Sequence, residues 1–320
     1  MKLSVCRYDE QRDRADWESL CARAPMANLL HTRRFLSYHG ERFEDQSLIA
    51  RDEAGTLRAA LPAARLPHQP DCVVSHPGAS FGGVIQDGSL LGEDLLQLLS
   101  DMAKDLAAAG FRVLRYKAVP TIYQRWPVQD DLYALVRLGA TLYRRDLSSC
   151  IAVDARREPS ARRQRSLRKA RNAGVTVRQD MTSLEAFWAV LCETLRSRHG
   201  TQPVHTLDEI RLLAARFPDD ILLVVAELAG QVEAGVLLFN SPAVSHAQYI
   251  ASSETGNACC ALDAVFEHCI AQTGSTGRRY FDFGISNEEE GRRLNTGLYR
   301  FKSEFGGGGA THDFYELALD

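Results

Sequence analysis

Four side chains in the last quarter of the chain could together move protons. Asp282 sits in Arg279-Tyr280-Phe281-Asp282-Phe283, whose aromatic alternation predicts a strand with Tyr280 and Asp282 on one face and Phe281 and Phe283 on the other. Gly284 breaks that strand, and the polar run 286–293 reads as a loop. Leu294, Leu298, Phe301 and Phe305 then recur at helical spacing, and this helix carries Tyr299 and Lys302 one turn apart on one side. Asp282 could act as a base or orient an amine, and Tyr299 could protonate a leaving group. Glu254 and His246 are further candidate bases, although a histidine inside a strand more often serves packing and hydrogen bonding. A strand that delivers an acid into a loop, followed by a helix that brings a phenol and an amine, furnishes a reaction cleft.

The elements that must hold these groups follow from periodicity. Two short helices are expected over 16–39, and strand, turn and strand over 47–50, 53–55 and 56–66. Leu95, Leu98, Leu99, Met102 and Leu106 recur at i, i+3, i+4 and predict a helix over 93–109, stopped by Gly110. A strand at 111–116, a helix at 131–138 and an extended stretch at 141–153 follow. In the second half, helices are expected at 183–198 and 206–216 and strands at 221–227, 231–239 and 244–251. A helix over 258–272 leads back to Asp282, four glycines from Gly306 end the helix that carries Lys302, and 311–319 forms a last strand.

Composition narrows the function. The 320 residues are 45% hydrophobic and 25% charged, which is ordinary for a globular enzyme of one large or two medium domains. A net charge of -3 gives no global field toward nucleic acid or an anionic membrane, so an obligatory RNA partner is not expected. No stretch approaches about 18 uninterrupted apolar residues, and the start lacks a signal-peptide core, so a cytoplasmic protein without a membrane span is expected. The eight cysteines include no C-x-x-C pair, so no metal site is expected and free thiols are. One local exception is 155–173, where eight Arg or Lys face Glu158 alone, Arg165, Arg168 and Lys169 sharing a helix side.

The two halves repeat. Gly55-Thr56-Leu57-Arg58-Ala59-Ala60-Leu61 corresponds to Gly230-Gln231-Val232-Glu233-Ala234-Gly235-Val236, each after an apolar strand. Gly110-Phe111-Arg112-Val113-Leu114-Arg115-Tyr116 likewise corresponds to Gly277-Arg278-Arg279-Tyr280-Phe281-Asp282-Phe283, each after a long helix. Each half reads as helices, hairpin, strand, long helix, strand, helix, strand. An α/β fold is expected, a mixed sheet flanked by helices in each half, with parallel pairs where long helices join neighbouring strands.

This order, with Tyr280-Phe281-Asp282-Phe283-Gly284 and Leu298-Tyr299-Arg300-Phe301-Lys302-Ser303-Glu304-Phe305-Gly306, resembles the FemAB-like branch of the GNAT acyltransferases over nearly the whole chain. The basic segment 155–173 is similar to the family's arginine-rich helix. The long coiled-coil insertion of some Fem proteins is missing, and Ser252-Ser253-Glu254-Thr255-Gly256-Asn257-Ala258 stands where a GNAT pyrophosphate loop rich in Arg/Gln and Gly is usual. The resemblance implies two tandem GNAT-like domains, the first over 1–150 with 310–320 returning to it, the second over 151–309 and binding the donor. It implies transfer of an acyl group from acetyl-CoA or another acyl-CoA to a primary amine of an amino sugar or cell-envelope precursor, free or linked to a nucleotide or lipid. The alternative donor is aminoacyl-tRNA, and a non-catalytic binding protein on the same fold is a further alternative.

N-acyl transfer needs a proton acceptor and donors for the developing oxyanion. On the resemblance, Lys302 lies at the donor end of the cleft, binding phosphate or steadying the oxyanion. A splayed strand entering a helix N-terminus would offer backbone N–H groups, which marks Tyr249, Ile250, Ala251, Ser252, Gly256, Asn257 and Ala258 as donor-binding. Phe81, Lys117 and Arg168 are candidate acceptor contacts.

Overall fold

The computed structural model describes residues 2–319. The chain forms two compact units, Met1–Asp146 with Glu290–Arg292 and Thr311–Asp320, and Leu147–Glu289 with Arg293–Ala310. In chain order the elements that begin in the first unit are β1 (Leu3–Arg7), α1 (Glu10–Arg23), α2 (Arg33–Leu36), β2 (Leu48–Asp52), β3 (Leu57–Leu61), β4 (Ala64–Leu66), β5 (Gln69–Val74), β6 (Ile85–Gln86), α3 (Glu93–Ala108), β7 (Val113–Lys117), α4 (Asp130–Arg137) and β8 (Thr141–Ala152). The second continues with α5 (Ala161–Asn172), β9 (Thr176–Gln179), α6 (Leu184–His199), α7 (Leu207–Arg216), β10 (Ile221–Leu228), β11 (Gln231–Asn240) and β12 (Val244–Ser252). It closes with α8 (Glu254–Cys259), α9 (Ala261–Ser275), β13 (Tyr280–Ile285), β14 (Asn287–Glu288), β15 (Arg293–Leu294) and α10 (Thr296–Ser303), before β16 (Gly308–Ala318).

In the first unit β1-β2-β3-β6 form one sheet, and β4-β5-β7-β16-β8 run side by side in another. The strand expected over 56–66 is broken at Pro62-Ala63, and only β4 turns back onto β5. Proline lacks the N–H that a continuing ladder would need. β5 and β7 pair parallel across the α3 connection, and the α3 leucine stripe is buried against them. In the second unit the order is β8-β13-β12-β11-β10-β9, antiparallel except for β12 with β13. The repeat seen in sequence recurs here. Both hairpins, β2-β3 and β10-β11, carry a bulge near the turn, and both long helices lead into a strand of a parallel pair.

Several boundaries differ from the sequence reading. The first helix begins at Glu10 because Asp9 accepts the N–H groups of Gln11 and Arg12 at 3.0 and 2.9 Å, and the second expected helix shrinks to Arg33–Leu36 and a 3-10 stretch. The helix expected over 258–272 is two helices, α8 and α9, parted at Cys260, whose φ is +63°. The loop 286–293 holds the small β14-β15 ladder. Phe266 of α9 sits among Phe281 and Phe283 of β13 and Phe301 and Phe305 at the α10 end, with ring centroids 4.9 to 6.3 Å away. This cluster holds strand β13 and helix α10 together, and both carry site residues.

Candidate active site

Strands β12 and β13 pair for only three residues, Val244↔Tyr280, Ser245↔Phe281 and His246↔Asp282. Beyond that point β12 runs on to Ser252, paired to β11, with Gln248 left as an extra residue between Leu237↔Tyr249 and Leu238↔Ala247. β13 instead bulges against β8 between Asp282 and Ile285, and Gly284 takes φ +77°. Two parallel strands therefore part immediately after His246 and Asp282. Parting strands leave backbone groups without a ladder partner, which is where a ligand's polar atoms can bond.

Lys302 reaches this break from α10. Its ammonium donates to the carbonyls of Gly284 at 2.9 Å and Ile285 at 2.8 Å, and the residue is 5% exposed. Burial lowers its pKa from 10.5 to about 8, against the nearby Asp282 charge, which raises it. A neutral amine keeps two N–H groups for the same two carbonyls, so the contact outlives the charge. Below pH 8 folded and unfolded chains both hold this proton. Between about 8 and 10.5 only the unfolded chain does, so stability rises with pH in that window. Relative to Lys302→Met, the wild type should gain on the order of 3 kcal/mol from pH 8 to 10.5, read by urea denaturation of both proteins across that range.

Asp282 is fully buried and its oxygens are occupied. Oδ1 accepts from the Gly284 N–H at 2.9 Å and from the Ser148 hydroxyl, and Oδ2 accepts from His246 Nδ1 at 2.9 Å. The acid that the sequence placed in the cleft therefore stands behind His246. Tyr299 is half-buried with its hydroxyl against Gly309, where an added Cβ would sit 3.0 Å from it.

The turn after β12 borders a cavity of about 770 Å³ with α6, lined by Ser252, Ser253, Glu254 and Asn257 on one side and by Ala189, Val190, Glu193 and Thr194 on the other. Ser253 caps α8 by accepting the Gly256 N–H at 2.9 Å. Of the residues marked as donor-binding, Ser252 and Asn257 line this cavity. Gly256 is buried so close to β11 that a Cβ would meet the Glu233 carbonyl at 2.4 Å. Ala251 is buried in the sheet, Ile250 packs on the core, and Ala258 is exposed. Tyr249 turns to His205, its hydroxyl 2.7 Å from Nδ1, and to the Trp188 ring. The lining carries two carboxylates and no cation, so a pyrophosphate finds no counter-charge there.

The basic segment divides by role. Arg163, 3% exposed, bonds Asp263 at 2.5 Å and lies 4.7 Å over Phe301, and Arg156 grips Glu267 at 2.8 and 2.9 Å. Arg165, Arg168, Lys169 and Arg171 are exposed and make no ion pair among the described residues. Helix α5, which carries them, lies against α8 and α9. In the first unit, Lys117 donates to the carbonyls of His76 (3.2 Å) and Ala79, and burial lowers its pKa to about 8. Phe81 is 3% exposed and packs 4.6 Å from Tyr123. Both residues thus hold the turn 75–83 in place. The sequence reading did not join His246 and Ser148 to Asp282, since only the parallel register sets His246 opposite that acid.

Residues 155–302 match the family described as Acetyltransferase (GNAT) domain. No curated protein matches the sequence. Among solved structures, FemX is similar with a TM-score of 0.72 at 13% identity, covering 99% of this chain and 97% of FemX. L-PGS from Bacillus licheniformis gives 0.63 at 12% identity, covering 98% and 93%, and a tandem GNAT protein from the clavulanic acid biosynthesis pathway gives 0.52 at 10%, covering 100% and 99%.

Proposed function

We propose that this chain, whose fold is similar to FemX and whose residues 155–302 match a GNAT acetyltransferase domain, is a FemAB-like acyltransferase that moves an acyl group from acyl-CoA to the primary amine of an amino sugar or cell-envelope precursor in the cytoplasm. The observation that carries the reading is the parting of β12 and β13 directly beside a buried lysine and a buried, fully bonded carboxylate. Such a break offers polar backbone groups and a fixed positive charge where a tetrahedral oxyanion would form, and it is shielded enough for that charge to count. Lys302 is the group we assign to the oxyanion.

We read residues 151–309 as the donor-binding domain and 1–150 with 310–320 as the other. Within the second, the α6–α8 cavity suits the neutral amide arm of pantetheine, since Thr194, Ser252, Ser253 and Asn257 can bond its amides and Ala189 and Val190 its methylenes. Its carboxylates do not suit phosphates. The unpaired cations of the same unit, Arg165, Arg168 and Lys169, do. Glu254 on the rim and Tyr299 beside Gly309 remain candidates for proton transfer at the donor's leaving group.

The test is release of free thiol from acetyl-CoA and longer acyl-CoA esters with a panel of amino sugars. Arg165→Ala/Arg168→Ala should raise the KM for acyl-CoA about tenfold, for two partly screened phosphate contacts, and leave kcat within a few-fold. No thiol release with any amine, together with acylation from charged tRNA, would replace acyl-CoA by aminoacyl-tRNA as donor.

A further inference from the structure

We propose that His246 is the general base of this acyl transfer, and that Asp282 and Ser148 are positioning residues which hold it; this rests on the acyl-transfer reading above. Asp282 takes three hydrogen bonds while fully buried, from Gly284 N–H, the Ser148 hydroxyl and His246 Nδ1. A carboxylate whose two oxygens are so occupied is held away from substrate. It cannot take a proton from an amine directly, but it fixes which ring nitrogen of His246 carries hydrogen. With Nδ1–H donated to Oδ2, the basic lone pair belongs to Nε2.

Position supports the same role. His246 is the last residue of β12 paired with β13, so its ring stands where the strands part. Its side chain is 18% exposed while that of Asp282 is 0%, so the ring is the solvent-facing member of the pair. The ring edge also covers the break in β13. A Cβ on Gly284 would lie 3.5 Å from His246 Cε1, and the Gly284 carbonyl is one of the two that Lys302 holds. The ring thus has the Asp282 carboxylate on β13 beside it and, across Gly284, the Lys302 ammonium on α10.

The step balances as follows. The amine nitrogen lone pair attacks the thioester carbonyl carbon and forms the C–N bond. The amine proton passes to Nε2. The C–S bond breaks with its electron pair on sulfur, and the imidazolium returns that proton to the thiolate, leaving an amide and a free thiol.

His246→Ala and His246→Gln, the latter keeping a donor toward Asp282, should lower kcat about 10²–10⁴-fold with the KM for acyl donor within a few-fold. Added imidazole should restore His246→Ala in proportion to its concentration, which a purely structural histidine would not allow. Nitrogen-15 NMR of the imidazoles should find His246 in the Nδ1–H form in the wild type and shifted toward Nε2–H in Asp282→Asn. Turnover in both His246 variants within threefold of wild type, or a wild-type ring carrying its hydrogen on Nε2, would overturn the assignment. A wild type silent with both acyl-CoA and aminoacyl-tRNA would instead sink the acyl-transfer reading, whatever the tautomer.

Discussion

Replacing Lys302 by alanine is expected to cut acyl transfer at least about 100-fold, the scale on which a single oxyanion donor is lost. The same change should destabilise the protein by about 2 kcal/mol at pH 7. Two opposing effects set that figure. Removal leaves the Gly284 and Ile285 carbonyls without their donor, at roughly 1–3 kcal/mol each. It also relieves the desolvation of the ammonium, which the fall in pKa from 10.5 to about 8 values at roughly 3 kcal/mol. The cavity left by the four-carbon stem adds to the loss. Thermal melts and thiol-release kinetics on one preparation separate the two effects. An alanine variant that melts lower but turns over at the wild-type rate would mean that this lysine only shapes the strand break.

Gly306→Ala should be among the most destabilising single substitutions in the chain, at about 3 kcal/mol or more, through strained backbone and a forced shift of the neighbouring chain. Gly306 has φ +102°, and a Cβ there would sit 2.0 Å from the Arg157 carbonyl oxygen and 3.1 Å from Arg156 Cγ. The obstacle is backbone, and it is itself tied in place, since Arg157 N–H donates to the Gly306 carbonyl at 3.1 Å and Arg156 Nε to that of Phe305 at 2.9 Å. Gly308→Ala is the internal control. Nothing lies within 4 Å of a Cβ at Gly308, and its φ is outside the left-handed range, so the change should stay within about 0.5 kcal/mol. Urea midpoints at constant m-value check both. Equal midpoints for the two variants would remove the close approach as the reason for the Gly306 glycine.

Much of both units could be read from local pattern because the signals that set their elements are local. Leu95 to Leu106 announced a helix through a 3.6-residue period, and the alternation at Tyr280–Phe283 separated Asp282 from the two buried phenylalanines. Boundaries failed where one residue decided them. Cys260 in a left-handed conformation splits a helix whose apolar pattern continues through it, and Pro62 ends a strand whose neighbours favour extension.

The site was less accessible. Glycines 306 to 309 look alike in sequence, and the structure separates those pressed against Arg157, Cys150 and Leu147 from the one in open space. The eight cations of 155–173 also look alike, yet Arg163 is buried on Asp263 and the aromatic cluster while Arg165 and Arg168 are exposed.

By itself, the sequence determined the element types, the internal repeat, and the strand and helix that bear Asp282 and Lys302, because periodicity and turn residues act over a few positions. Only the tertiary structure decided that His246, Asp282 and Ser148 meet, and that Lys302 turns inward onto Gly284 and Ile285. Those contacts span 17 to 134 residues. They depend on strand register, and a shift of one residue in β12 would turn His246 to the opposite face.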